Sequence, residues 1–239
     1  MTAYATVNID IGSGEATGGM SALDLLFIMA FLALIPSLLL LMTSFTRIII
    51  VLSLLRNALG TQSSPPNQII TGLALFLTLF IMMPVLDEVN ETAYQPFRDE
   101  QITQEEALDI GVIPFKRFML IQMNEDDLDL FMSIAEDAGQ INKEDYTTQE
   151  SLLDLRLNVI VPAFVISELK RAFMMGFFLY IPFLILDIVV SSTLMSMGMV
   201  MLPPSMISLP FKLMMFILVD GWSLLVEALI SSFHISSFW

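Results

Sequence analysis

Along the chain, long uncharged apolar stretches flank one polar, acidic stretch in the middle. Met1–Ser21 is polar and rich in Gly and Thr, which predicts a loose tail. Leu25–Thr46 then runs 22 residues without a charge, enough for a helix that needs roughly 20 residues to cross a hydrocarbon core. A secretory signal peptide would also be apolar here. The start has no basic segment and the run no A-x-A cleavage site, so a retained span is expected. Arg47 and Arg56 follow, either side of Ile48–Leu55, and Gly60–Asn67 with its Pro65-Pro66 pair stops one helix and sets the next. Ile69–Leu86 is a second uncharged run, of 18 residues.

From Asp87 to Asp154 the pattern changes. Thr103-Gln104-Glu105-Glu106 reads as a capping box, a helix start in which Thr and Glu side chains bond each other's backbone. Phe115, Phe118, Met119, Leu128, Leu130, Phe131 and Ile134 recur at near-helical spacing, so short amphipathic helices are expected. Asn124-Glu125-Asp126-Asp127 with Asp129 brings calcium to mind. The loop Gly and terminal Glu of an EF-hand are missing, and a solvated acidic helix start is the reading preferred.

The chain turns apolar again near Leu152. Leu157–Ser167 is 11 residues long and stops at Glu168, Lys170 and Arg171; Ala172–Leu186 is interrupted by Asp187; Ile188–Phe211 continues for 24 uncharged residues. A last helical pattern runs through Asp220 and Glu227. Pro203-Pro204 splits this block into a helical hairpin. Four parts are therefore expected: a tail, 1–21; apolar helices with an Arg- and Pro-bearing connection, 22–86; an acidic insert, 87–154; and an apolar hairpin, 155–239.

Composition sharpens this picture. Of 239 residues, 56% are hydrophobic and 15% charged, against roughly 45–50% and 25% in ordinary soluble domains. Mean hydropathy is +0.77. A soluble chain of this size has too little interior to hide so much apolar surface, so a membrane or an apolar assembly must cover the rest. The insert holds 18 acids and four bases (Arg98, Lys116, Arg117, Lys143), a net of −14 out of the chain's −15. Nucleic acid would be repelled. With no cysteine and one histidine, His234, thiol chemistry, Cys-ligated zinc and a multi-histidine metal site are excluded. The arginines between the two apolar runs place that connection in the cytoplasm and the tail and insert outside.

Asp187, Lys212, Asp220 and Glu227 lie in or beside apparent spans, where each would cost about 2.5–3.5 kcal/mol at a bilayer centre. Pairing between neighbouring helices or subunits is the expected explanation. Two other classes of function use the same residues: a proton- or cation-coupled transporter, or an intramembrane aspartyl protease built on Asp187 and Asp220. The Gly-x-Gly-Asp pattern of the latter is absent, as are a triad and a phosphate-cradling Gly loop, and no cofactor is implied. Met195-Ser196-Met197-Gly198-Met199-Val200-Met201 places methionines at every second position before the di-proline. That spacing aligns side chains on one side of an extended chain, and Gly198 favours departure from helix. Copies arranged around an axis would present a deformable thioether ring.

Several stretches together resemble the FliP family, the P subunits of the flagellar type III protein export gate, whose injectisome counterparts are the SctR proteins. They are Thr43–Arg47, Leu55–Gly60, Pro65–Gln68, Pro162–Phe164, Ser167–Lys170, Gly176-Phe177, Ile181–Asp187, Met199–Pro204, Leu209–Leu213 and Val219–Trp222. Thr-Ser-Phe-Thr-Arg and Pro-Pro-Asn-Gln look more flagellar than injectisome-like. The resemblance implies an all-α, membrane-associated fold of kinked helical hairpins with an acidic, partly helical extracytoplasmic insert, assembling into a helical oligomeric pore. It further implies a roughly five-fold ring with Q and R subunits, contacted by a B-type switch protein. That ring would sit in the bacterial inner membrane at the flagellar basal body and pass unfolded flagellar proteins. A methionine gasket is implied at Met199, Val200 and Met201, with Met197 adjacent. Val200 departs from an unbroken methionine run, and its β-branch is stiffer. Arg47, Arg56, Glu168, Asp187, Lys212 and Asp220 are the candidate buried polar and assembly residues. The resemblance also implies that much of the gate sits above the bilayer, its polar groups facing protein.

Overall fold

The computed structural model describes residues 40–61, 64–199 and 202–233, with isolated positions between 25 and 37. The expected tail 1–21, part of the expected span Leu25–Thr46, and Val200, Met201 and His234 lie outside the described residues. The described residues are helical, without strands, so the fold is all-α.

Helix α1, Phe45–Leu59, buries Ile48, Val51, Leu52, Leu55 and Leu59, an i, i+3, i+4 stripe. It ends where Gly60 turns left-handed at φ 78°, closing its N–H on the Asn57 carbonyl at 3.0 Å. Arg47 and Arg56 were expected in a connection between spans; both instead belong to this helix, with Arg47 fully buried. The second helix, α2, Asn67–Val89, continues through a π-helical turn, Asn90–Tyr94, into Gln95–Arg98, 32 residues in all. One stripe, including Ala74, Thr78, Ile81 and Val85, is buried, while Phe76, Phe80 and Met83 on other sides are exposed.

The insert folds as α3, Gln104–Gln122, and α4, Glu125–Asp137, then the short helix α5, Gln149–Leu153. The capping box at Thr103 and Glu106 forms as expected: the Glu106 N–H donates to Thr103 Oγ1 at 3.3 Å, and the Thr103 N–H to Glu106 Oε2 at 2.8 Å. Phe118 and Met119 are buried, as their spacing predicts. The inward face of α4 is different from the expected one. Asp127, Met132 and Ala135 are buried, while Leu130 and Ile134 are about half exposed.

From Leu157 to Ser196 the chain is one 40-residue helix, α6. The charges that punctuate this apolar run, Glu168–Arg171 and Asp187, lie inside the helix, and partners on other segments satisfy them. Pro162 and Pro182 lie inside it. Helix α7, Pro204–Leu218, returns against α6, so Pro203-Pro204 does set up a hairpin. It meets α8, Gly221–Ser231, at a 65° bend where Asp220 is left-handed at φ 50°. A Cβ on Gly221 would lie 2.3 Å from the Phe216 ring, so the bend admits only a hydrogen there.

Two described helices, α2 with its extension and α6, are long and apolar enough to cross a membrane, or three if α7 and α8 form one broken span. Only 11% of the most apolar window of α6 is buried within the chain, so lipid or other subunits must cover the rest.

Where α6 crosses α1, Gly176 faces Leu54 so closely that an added Cβ would sit 2.2 Å from Leu54 Cδ1 and 3.2 Å from its Cβ. Gly176→Val is therefore expected to destabilise the purified chain by about 1–3 kcal/mol through overpacking. Leu54→Ala should relieve part of that loss, read as a coupling in a thermal-unfolding double-mutant cycle. Strict additivity would show that this crossing does not set the packing.

Candidate functional site

Arg47 sits in the first turn of α1 and reaches two other helices. Its Nε donates to Glu168 Oε2 at 2.8 Å and its Nη2 to Glu168 Oε1, the two-pronged pairing that a planar guanidinium makes with a carboxylate. Nη1 donates to both the carbonyl and the Oγ of Ser232, each at 2.9 Å, just past the end of α8. The guanidinium carbon lies 3.8 Å from the centre of the Phe233 ring. Both ion-pair side chains are fully buried. One side chain thus ties α1, α6 and α8.

Within the same turn of α6 as Glu168, the helix also holds the insert. Ser167 Oγ donates to Asp127 Oδ2 at 2.7 Å and accepts the Asn124 N–H at 3.0 Å. Lys170 pairs with the other oxygen of Asp127, and Arg171 Nη2 donates to Asn124 Oδ1 at 3.2 Å. Asp127, only 1% exposed, is therefore no solvated helix start, and its carboxylate is turned to Lys170 rather than to a calcium loop. Burial pushes the Asp127 carboxyl up, but the bonds from Lys170 and Ser167 outweigh it and hold the group below its ordinary 3.8.

A third group joins the hairpin arms. Lys212 Nζ on α7 donates to Asp187 Oδ2 on α6 at 2.7 Å and to the Ala58 carbonyl of α1 at 3.1 Å. Ser208 Oγ donates to Asp187 Oδ1 at 2.7 Å. Lys212 is buried and Asp187 about a third exposed. Arg56 bridges the α1–α2 break to Asn67 Oδ1.

The structure thus brings together Arg47 with Glu168, and Asp187 with Lys212. It does not bring Asp220 to Asp187: Asp220 is exposed at the α7–α8 bend, and Glu227 is exposed on α8. At the hairpin tip, Met195 and Met197 are about two-thirds exposed and Met199 43%. Helix continues through Met195 and Ser196, and the chain leaves it at Met197, where Gly198 at φ 76° closes the turn. The expected extended row therefore does not begin at Met195. Sequence reasoning took Asn124 and Asp127 for a solvated helix start and missed Ser208, Ser232 and Phe233. Ser and Asn carry no periodic signal, and Asp127 is one acid in a run of acids.

These features define a class: an all-helical membrane protein whose helices are tied by buried ion pairs and whose longest helix forms one arm of a hairpin with a methionine-bearing tip. A model of the FliP family matches residues 28–229, and the chain belongs to that family. Among similar proteins, a flagellar biosynthetic protein FliP of Bacillus subtilis strain 168 is 50% identical over 95% of this chain and 98% of its own length. One from Pectobacterium carotovorum is 52% identical over 91% of this chain and 82% of its own. A Buchnera aphidicola FliP, from the Acyrthosiphon pisum symbiont, is 49% identical over 94% of this chain, which spans 56% of that longer protein.

Removing one partner of a buried pair strands the other charge. Arg47→Ala or Glu168→Ala is expected to cost about 3–5 kcal/mol, seen as loss of folded protein in detergent, with Arg47→Met/Glu168→Leu recovering much of it. A double variant no better than the singles would mean that the Ser232 and Phe233 contacts, not the ion pair, carry the stability.

Because the folded Asp127 group is depressed, its contribution is fully present above the ordinary carboxylate value of 3.8 and is lost as pH falls through the lower folded value. Amide exchange in α4 should accelerate in that acid window, ahead of α1. Asp127→Asn should remove the pH dependence and leave α4 faster at neutral pH. Equal protection of α4 in both proteins at neutral pH would overturn the latch.

Proposed function

We propose that the chain is a non-enzymatic pore-forming core subunit of the flagellar type III export gate, passing unfolded flagellar proteins through a constriction lined by Met199, Val200 and Met201. Family membership over 28–229 is the observation that carries this reading. Its physical support is the α6–α7 hairpin, whose tip presents methionines to the outside while Asp187 and Lys212 clamp the arms below. Unbranched thioethers repack around varied contents, which suits a seal that must yield to many sequences. In this reading about five copies join Q and R subunits and the B-type switch protein in the inner membrane at the basal body. The uncovered apolar faces of α2 and α6 become subunit contacts, and the acidic insert, 87–154, lies outside the cytoplasm. Asp187, Lys212 and Arg47 serve assembly. No geometry favours acid–base chemistry: Asp187 is engaged by a lysine and a serine, and Asp220 stands apart.

Purified with Q and R subunits, the chain should form a discrete oligomer by particle mass, and Met199→Ala/Met201→Ala should leave that mass intact while raising membrane ion leak severalfold. A stable monomer that ignores both partners would reject the gate. An intact particle with unchanged conductance would reject the methionine seal alone.

A further inference from the structure

Between α4 and the segment that follows it lies an open groove of about 540 Å³. Its floor is apolar, made by Leu128, Met132, Tyr146 and Leu152. Its rim carries the exposed carboxylates Glu125, Asp129, Glu136 and Glu144. Among the described residues Lys143 is the one cation lining it, and that side chain is already tied to Asp129 and Ser133. On the adjoining face of α4, Leu130 and Ile134 stand one turn apart and half exposed. An apolar strip fenced by acids is neither a solvated face nor a completed core.

We propose that this groove docks a basic amphipathic helix of a partner protein, its apolar side on the floor and its lysines or arginines on the rim. A helix laid along the 13 residues of α4 would have a contact line of about 20 Å. Charge selects this occupant over three others. A membrane surface with anionic lipid would be repelled by an insert of 18 acids and four bases. Residues 1–24 hold three acids and no base, so the chain's own start does not complement the rim. A second copy offers the same acidic insert: of its four bases, Lys116 is committed to the Leu153 carbonyl, Arg117 to Glu88 and Lys143 to Asp129, which leaves Arg98 alone against four rim carboxylates. Complementary charge would also speed the encounter and make it salt-sensitive. The groove requires no pore, so this proposal stands or falls separately from the export-gate reading.

The test uses the full chain in an uncharged detergent and a labelled synthetic Leu/Lys amphipathic helix, with its Leu/Glu counterpart as control. The Leu/Lys peptide should bind at least about tenfold more tightly than the Leu/Glu peptide and weaken with salt. Glu125→Gln/Glu144→Gln should lower that affinity about tenfold, whereas Asp99→Asn/Glu105→Gln, an equal charge change outside the groove, should leave it unchanged. All four are exposed side chains, so folding is preserved. Equal loss in both double variants would reduce the effect to overall charge and overturn the proposal. So would an unaffected groove variant, which places the peptide on the apolar helices, or self-association of the chain abolished by the groove variant, which makes a second copy the occupant.

Discussion

Taking a guanidinium and a carboxylate out of water together costs several kcal/mol for each ion, and the loss is offset only when the pair is well aligned and every remaining donor is used. Arg47 and Glu168 are aligned, and four of the guanidinium's five N–H donors are engaged. Two parallel bonds join them, Ser232 takes the third nitrogen twice, and the Phe233 ring covers the cation's face. An apolar contact between α1 and α6 would tolerate a slide of one residue or a small rotation. A forked ion pair does not, because displacement strands two charges at once. The register of α1 against α6, and the position of the chain end after α8, follow from this one arrangement. Phe118 of the insert packs on Phe164 at 6.0 Å and on Phe233 at 6.4 Å, and so inherits the same reference point.

The turn of α6 that carries Glu168 carries Ser167, Lys170 and Arg171 on other sides, and those grip Asn124 and Asp127 at the start of α4. That turn is one joint between the acidic insert and the apolar helices, beside the Phe118–Phe164 contact and the Asn158–Gln140 hydrogen bond. From Lys170 to Met195 is 25 residues of unbroken helix, roughly 40 Å at the rise of an α-helix. One continuous helix, with Pro182 inside it, therefore links the insert's anchor to the projection that carries Met195.

Much of this was legible in the residues. The uncharged run before the insert, the Thr103–Glu106 cap and the di-proline hairpin each rest on a local rule, and each appears where the rule puts it. The failures are long-range. Glu168–Arg171 end an apolar run in the sequence, and the partners that make those charges tolerable lie 121 residues away in Arg47 and 43 away in Asp127. Asp127 sits in an acidic run that local pattern reads as solvated, and only the α4–α6 packing separates it from Asp126 and Asp129. Leu130 and Ile134 fit helical spacing as well as Leu128 and Phe131 do. The buried side of α4 was instead chosen by Asp127's ion pair, which rotates Met132 and Ala135 inward.

The Asp187–Lys212 pair has a mechanical consequence of its own. It fixes α6 to α7, and through the Ala58 carbonyl to the end of α1, at a level nine residues before α6 ends at Ser196. About 13 Å of helix therefore projects beyond the clamp before the turn at Met197–Gly198. On that projection Met195 and Met197 are exposed, and the Ser192, Thr193 and Ser196 hydroxyls bond back to their own helix rather than across to α7. Above the clamp, with Leu194 still buried and a left-handed glycine closing the turn, the segment has fewer polar ties to its neighbours than the region below. The ion pair thus divides the hairpin into a stem, where polar groups are matched across helices, and a tip, where the exposed side chains are the ones that deform most easily.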